Sequence, residues 1–117
     1  MIASVFVRRL KEGRTLDEFV AEWQADKGYG VPTRVLTAQS IEDPRDILSI
    51  GLVDVEEHQL IEWLAANPAA DAERRERIDT VIESTRFTGM FVIRTEHDFT
   101  DVPRQIVAGT EESLLGR

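Results

Sequence analysis

Two histidines, one tyrosine, two tryptophans and a few strand arginines are the side chains here with chemistry to offer. His58 follows two carboxylates in Glu56–Glu57–His58, where an imidazole can accept a proton or bind a metal. The same position at the start of a polar helix also suits an ordinary surface histidine. His97 lies between Glu96 and Asp98. A metal site needs three or four converging ligands, and adjacent strand residues point to opposite faces, so no metal site is expected. Tyr29 stands between Gly28 and Gly30 in a turn-rich connector, as the lip of a pocket would. Tyr29 and His58 are the candidate catalytic residues.

Trp23 and Trp63 offer flat faces to a ring and N–H groups to orient it. Trp23 also continues an apolar helical stripe and fits a core role. Trp63 lies one position off the stripe of its helix, as at a rim or an interface. Arg34 opens a strand, and Arg8 and Arg94 lie in apolar strand segments. A guanidinium there must be paired or reach water. It can hold a ligand carboxylate or phenolate through two parallel hydrogen bonds, or a carboxylate across a subunit contact. Trp23, Arg34 and Trp63 are the candidate substrate-binding residues. Ser4, Thr37 and Ser49 have no base in sequence reach and read as packing residues. Gly28–Tyr29–Gly30 follows a helix instead of opening one, so it is no phosphate loop. The run Arg74–Arg75–Glu76–Arg77 reads as a solvated helix face.

The chain around these residues has 117 positions, 42% hydrophobic and 31% charged, with no cysteine and a net charge of −8. That length suits one domain with a real core. The missing cysteines exclude disulfides, thiolate catalysis and cysteine-held metals. The acidic balance argues against nucleic acid and anionic membrane, which reward clustered Lys and Arg. No apolar run approaches a membrane span and the first residues lack a basic leader, so a cytoplasmic protein is expected.

Ile2–Arg9 is rich in β-branched and aromatic residues and predicts a strand. Thr15, with Glu18 three residues on, predicts a capped helix with Leu16, Phe19, Val20 and Trp23 on one stripe, stopping at Asp26–Lys27–Gly28. Arg34–Ile41 and Asp46–Val55 predict a hairpin around Glu42–Asp43–Pro44–Arg45. A second helix is expected over Glu56–Ala66, with Leu60, Ile61 and Leu64 inward. A third, or a bent continuation, is expected over Asp71–Thr85, with Ile78, Val81 and Ile82 inward and i,i+4 pairs Asp71–Arg75 and Glu73–Arg77 outward. Gly89–Glu96 predicts the last strand. Residues 1–97 form the domain. Residues 98–117 form a tail that packs on the domain or on a partner protomer.

The order β-α-β-β-α(α)-β is ferredoxin-like, an α+β class with a four-stranded antiparallel sheet and helices on one face. The strands do not alternate apolar with polar. Ile47, Ser49, Gly51 and Val53 oppose Leu48, Ile50 and Leu52, and Val5 and Val7 oppose Ile2 and Phe6. Helices cover one face, so the other must meet a partner or the chain's own tail, and a homodimer pairing sheet on sheet is the simplest expectation.

Element order, length and the doubly apolar sheet together resemble the dimeric α+β barrel superfamily over roughly residues 2–97. That superfamily includes antibiotic-biosynthesis monooxygenases, EthD-like proteins and haem-degrading monooxygenases. EthD-like members commonly carry an aromatic residue followed four positions later by histidine; here Trp23 is followed at that spacing by Lys27. Haem-degrading members use an Asn–Trp–His set, and the one asparagine here is Asn67, before a proline. The resemblance therefore carries over fold and assembly but no catalytic residue. It implies a small homodimer that oxygenates an aromatic or polycyclic molecule in an apolar cleft, without cofactor. The alternative is a non-catalytic dimer that binds a small hydrophobic ligand or a partner protein.

Overall fold

The computed structural model describes residues 1–23, 32–66, 68–107 and 112–114. Four strands, β1 (Ile2–Leu10), β2 (Thr33–Gln39), β3 (Asp46–Val53) and β4 (Ile82–Val92), form one antiparallel sheet in the order β2-β3-β1-β4. Helices α1 (Leu16–Glu22), α2 (Leu60–Ala66) and α3 (Pro68–Asp79) complete a ferredoxin-like α+β domain. A second, two-stranded sheet pairs β5 (Glu96–Asp98) with β6 (Arg104–Ile106). Among the described residues no helix is long and apolar enough to cross a membrane.

Thr15 caps α1 as its sequence predicts. The Glu18 amide donates to Thr15 Oγ1 at 3.2 Å, and the Thr15 amide donates to Glu18 Oε1 at 3.1 Å, which satisfies two of the helix's orphan donors. Phe19 is the buried residue of α1, whereas Val20, on the same predicted stripe, is exposed. The expected stop at Asp26–Lys27–Gly28 lies outside the described residues.

Five expectations need correction. The last helix ends at Asp79 rather than Thr85, because the chain turns there: the Thr80 hydroxyl donates to the Arg77 carbonyl at 2.7 Å and the Val81 amide to that of Ile78 at 3.0 Å. Val81 and Ile82 are buried as expected, but Ile82 is already the first residue of β4, so the last strand of the main sheet is Ile82–Val92 and not Gly89–Glu96. The second helix is α-helical from Leu60, after a 3-10 turn at Glu57–Gln59. Leu60 and the partly buried Trp63 pack on its core side, while Ile61 and Leu64, expected inward, are exposed. Arg74, expected on a solvated face, is buried.

The core lies in two clusters on the helix side of the sheet. Leu10, Phe19, Ile47, Ile78, Val81 and Ile82 form one. Ile2, Val53 and Val55, with Leu60 and Trp63 against them, form the other. Strand register sets the opposite face. Ala3, Val5 and Val7 of β1 lie beside Leu48, Ile50 and Leu52 of β3, with Phe87 and Phe91 of β4 and Leu36 of β2 on the flanks. Phe87 and Phe91 stack with centroids 6.0 Å apart, folded over Gly89, where an added Cβ would meet their rings at 3.1 and 3.2 Å. Phe87, Phe91 and Leu36 are about half exposed.

An ion network closes one end of this face. Arg9 reaches Asp43 at 2.8 Å, Asp46 at 2.9 Å and Glu83 at 3.5 Å, and Arg45 reaches Glu83 at 3.1 Å. Arg9 holds the Asp43 carboxyl below its ordinary pKa.

The terminal hairpin is tied together by its own polar groups. Arg104 bridges Asp98 at 3.3 Å and Glu112 at 2.8 Å, and the Ser113 hydroxyl donates to Glu96 at 2.6 Å. The Leu114 amide donates to the same carboxylate at 2.8 Å. These two donors, the Ser113 hydroxyl first, hold Glu96 below its ordinary pKa. A depressed carboxylate stabilises above the unfolded-state value and loses that contribution as pH falls through its folded value. Acidification through the range below about pH 4.3 is therefore expected to release residues 112–114 from the hairpin. Amide exchange at Leu114, protected at neutral pH and progressively less so as the pH falls below about 4.3, checks this; protection unchanged on acidification contradicts it.

Candidate functional site

A cleft opens between the two core clusters, on the helix side of the sheet. Its floor is made by small residues at central strand positions. Ser4 of β1 faces Gly51 of β3 and Phe6 faces Ser49, whereas Ile2–Val53 at one end keeps bulk. An added Cβ at Gly51 would find Ser4 Cβ at 3.8 Å, ordinary van der Waals contact, so that glycine leaves room above the sheet. Ser4, Ser49 and Gly51 are thus the residues that make the cleft. The sequence signal was present in Ile47-Ser49-Gly51-Val53, where small residues interrupt an apolar, core-facing row.

Trp23 and Trp63 both line the cleft, one from the end of α1 and one from α2. Arg74 of α3 donates from Nε to the Trp23 carbonyl at 2.9 Å and lies 5.6 Å from the centroid of its ring. Arg77 donates to the Ala21 carbonyl at 3.3 Å and to Glu22 at 3.2 Å. Cationic groups at a helix C-terminus satisfy its orphan carbonyls and oppose its dipole. The two α3 arginines so fix the end of α1 that carries Trp23.

Arg8 lines the same cleft and is 8% exposed. Its guanidinium carbon stands 4.2 Å from the centroid of the Phe6 ring and 5.7 Å from that of Phe19, distances at which a cation is attracted to a ring face. Among the described residues that line the cleft, Arg8 is the charged one, and Ser4, Ser49 and Thr33 supply hydroxyls. The remaining lining is Val35, Val53, Gly51 and the aromatic residues.

The other sequence candidates lie elsewhere. Arg34 sits between Thr33 and Val35, which line the cleft, so alternation sends it to the opposite face, beside Leu52. His58 is exposed in the 3-10 turn and is not among the cleft residues. Tyr29 lies outside the described residues. His97 is on the terminal hairpin, its ring 6.4 Å from that of Phe99. Arg94 follows β4 and pairs with Glu57 at 3.6 Å. Among the described residues no three His, Asp or Glu side chains are grouped to hold a metal ion. The structure therefore brings Trp23 and Trp63 together with Arg8, and leaves His58 and Arg34 outside.

The cleft has about 70 Å³ of space, against roughly 150 Å³ for a closed cavity that takes benzene. A single ring can enter in part, with its remainder in the open mouth; a polycycle would require the helices to part.

The sequence matches no protein-family model and no curated protein. The fold, however, has solved counterparts. A protein of Chloroflexus aurantiacus J-10-fl, named as a candidate antibiotic biosynthesis monooxygenase, superposes with a TM-score of 0.58 at 17% identity, over 83% of this chain and 96% of that one. An uncharacterized NIPSNAP domain protein of Burkholderia xenovorans gives 0.54 at 22% identity, over 80% and 95%. The chain thus shares the ferredoxin-like fold of these two proteins across most of its length.

Proposed function

We propose that the protein is a cytoplasmic homodimer that pairs its sheets face to face and binds a small aromatic molecule in the helix-side cleft of each protomer. The observation that carries this is the cleft itself: two tryptophans and a buried arginine around a floor of serine and glycine. Ligand sites combine an apolar lining with a few polar groups in this way. The dimer rests on the open sheet face. Nine apolar residues across four strands stand there without a covering helix, and contiguous apolar patches of that kind mark interaction sites. A second copy presents the same patch and is self-complementary by two-fold symmetry.

Oxygenation of the bound ring without a cofactor is the second reading, favoured by the fold shared with the Chloroflexus protein. Such chemistry asks the protein for desolvation, orientation and a proton acceptor. The described cleft residues supply the first two; they include no carboxylate and no imidazole. The geometry therefore supports binding more directly than turnover.

Native mass spectrometry of protein purified without added ligand tests the reading. A dimer carrying an extra small-molecule mass per protomer is expected. Gly51→Leu, which adds a side chain above the floor where a Cβ fits, should abolish that mass while leaving the dimer and the fold intact. A small-molecule mass retained in full by Gly51→Leu would put the ligand elsewhere.

A further inference from the structure

Resting on the dimer proposed above, we infer that residues 96–107 form an arm that packs on the second copy of the chain. Local stability comes first. The hairpin of β5 and β6 has strands of only 3 residues each, and among the described residues it makes no extended contact with the main sheet or its helices. A two-stranded ribbon alone in water is marginally stable at best, and needs further strands or a packed face. Polar ties close this hairpin on itself, and Ile106 is buried within it. Its other large apolar side chains are not covered: Phe99, Val102 and Val107 are 73%, 72% and 69% exposed. The radius of gyration is 15.8 Å, against about 13 Å for a compact domain of this length, as a projecting segment requires. The protomer therefore builds the hairpin and gives it nothing to rest on.

Chain continuity then selects the partner. The hairpin follows β4, the edge strand that contributes Phe87 and Phe91 to the open sheet face. Glu96 comes five residues after Phe91, which is at most about 18 Å of extended chain. Sheets packed face to face stand about 10 Å apart, so a copy seated on the open face lies within reach of the arm's root. Two-fold symmetry gives each copy one arm and one receiving surface, so both arms are covered at once. A partner that came and went would leave these short strands unsupported between visits. A permanent second copy does not.

The chain has no cysteine, so a single introduced cysteine carries one photoreactive benzophenone label. Val102→Cys places it in the exposed turn between β5 and β6. Illumination at micromolar concentration is expected to give covalent pairs of twice 13.3 kDa on a denaturing gel. Glu76→Cys, exposed on α3, is the control and should give almost none. Phe99→Ser should leave the fold intact and weaken the dimer constant about ten- to a hundredfold, read by sedimentation. Cross-links confined to one chain, or none between chains, would overturn the arm. So would pairing from Glu76→Cys as strong as from Val102→Cys, or a Phe99→Ser dimer as tight as the wild type. In each of these cases a wild type that sediments as a dimer keeps the sheet pairing. A wild type that is monomeric at every concentration would overturn the sheet pairing and the arm together.

Discussion

Phe91→Glu is expected to convert the proposed dimer to a monomer without unfolding the chain. Within one protomer Phe91 is 50% exposed, and its ring stacks on that of Phe87. A polar substitution at such a site ordinarily changes protomer stability by about 0.5 kcal/mol or less. In the proposed sheet-on-sheet dimer the same residue would face an apolar partner surface, and two-fold symmetry would bury two carboxylates at once. Burial of an unpaired charge costs several kcal/mol even after relaxation. The dimer constant should therefore weaken by about a thousandfold or more, since each 1.4 kcal/mol is tenfold. Gel filtration with light scattering reads the change, and circular dichroism confirms that the fold survives. A Phe91→Glu protein that stays fully dimeric would mean that another surface forms the contact.

Phe19→Ala carries the largest expected loss of stability. Phe19 is 1% exposed and sits in the cluster with Leu10, Ile47, Ile78, Val81 and Ile82. Replacing a buried phenylalanine with alanine costs about 3–5 kcal/mol in lost transfer energy and residual cavity. That is a large part of the roughly 5–15 kcal/mol that holds a domain together. The melting temperature should fall by about 10–25 °C. The effect reaches the cleft as well, because Phe19 is the buried residue of α1 and Trp23 follows one turn later. Val20→Ala is the control. Its position on the predicted stripe is equivalent, but it is 41% exposed, and the change should be near zero. Equal losses from the two substitutions would mean that α1 is rotated from the orientation described.

The contrast between Phe19 and Val20 shows where sequence periodicity stops. A stripe at i, i+3, i+4 and i+7 names a helix and a broad apolar arc, but the sheet beneath decides which residues of that arc are buried. The same limit separates Trp63 from Ile61 and Leu64: every side of Leu60–Leu64 except Glu62 is apolar, so spacing does not choose a face. Thr15 and Glu18, by contrast, fixed the start of α1 correctly, because the capping box is a local pair of hydrogen bonds. The end of α3 was hidden because Ile78, Val81 and Ile82 continue a helical spacing through the turn at Thr80, although Thr85, Phe87, Thr88, Phe91 and Val92 beyond it are β-branched or aromatic.

At the site, Trp23 and Trp63 were legible as aromatic candidates, and Arg8 as a strand arginine needing a partner. The face on which Arg34 and Arg8 lie was not legible. Alternation places them relative to their neighbours, but only the packed helices say which side of the sheet is covered. Ser4 and Ser49 read as packing residues in sequence, and in the structure they line the cleft together with Gly51. Tyr29 lies outside the described residues.

Sedimentation equilibrium of the unmodified protein tests the central claim, that one sheet face is covered by its own helices and the other by a second copy. The predicted result at micromolar concentration is a single species of twice 13.3 kDa. A species of 13.3 kDa at every concentration would contradict the account.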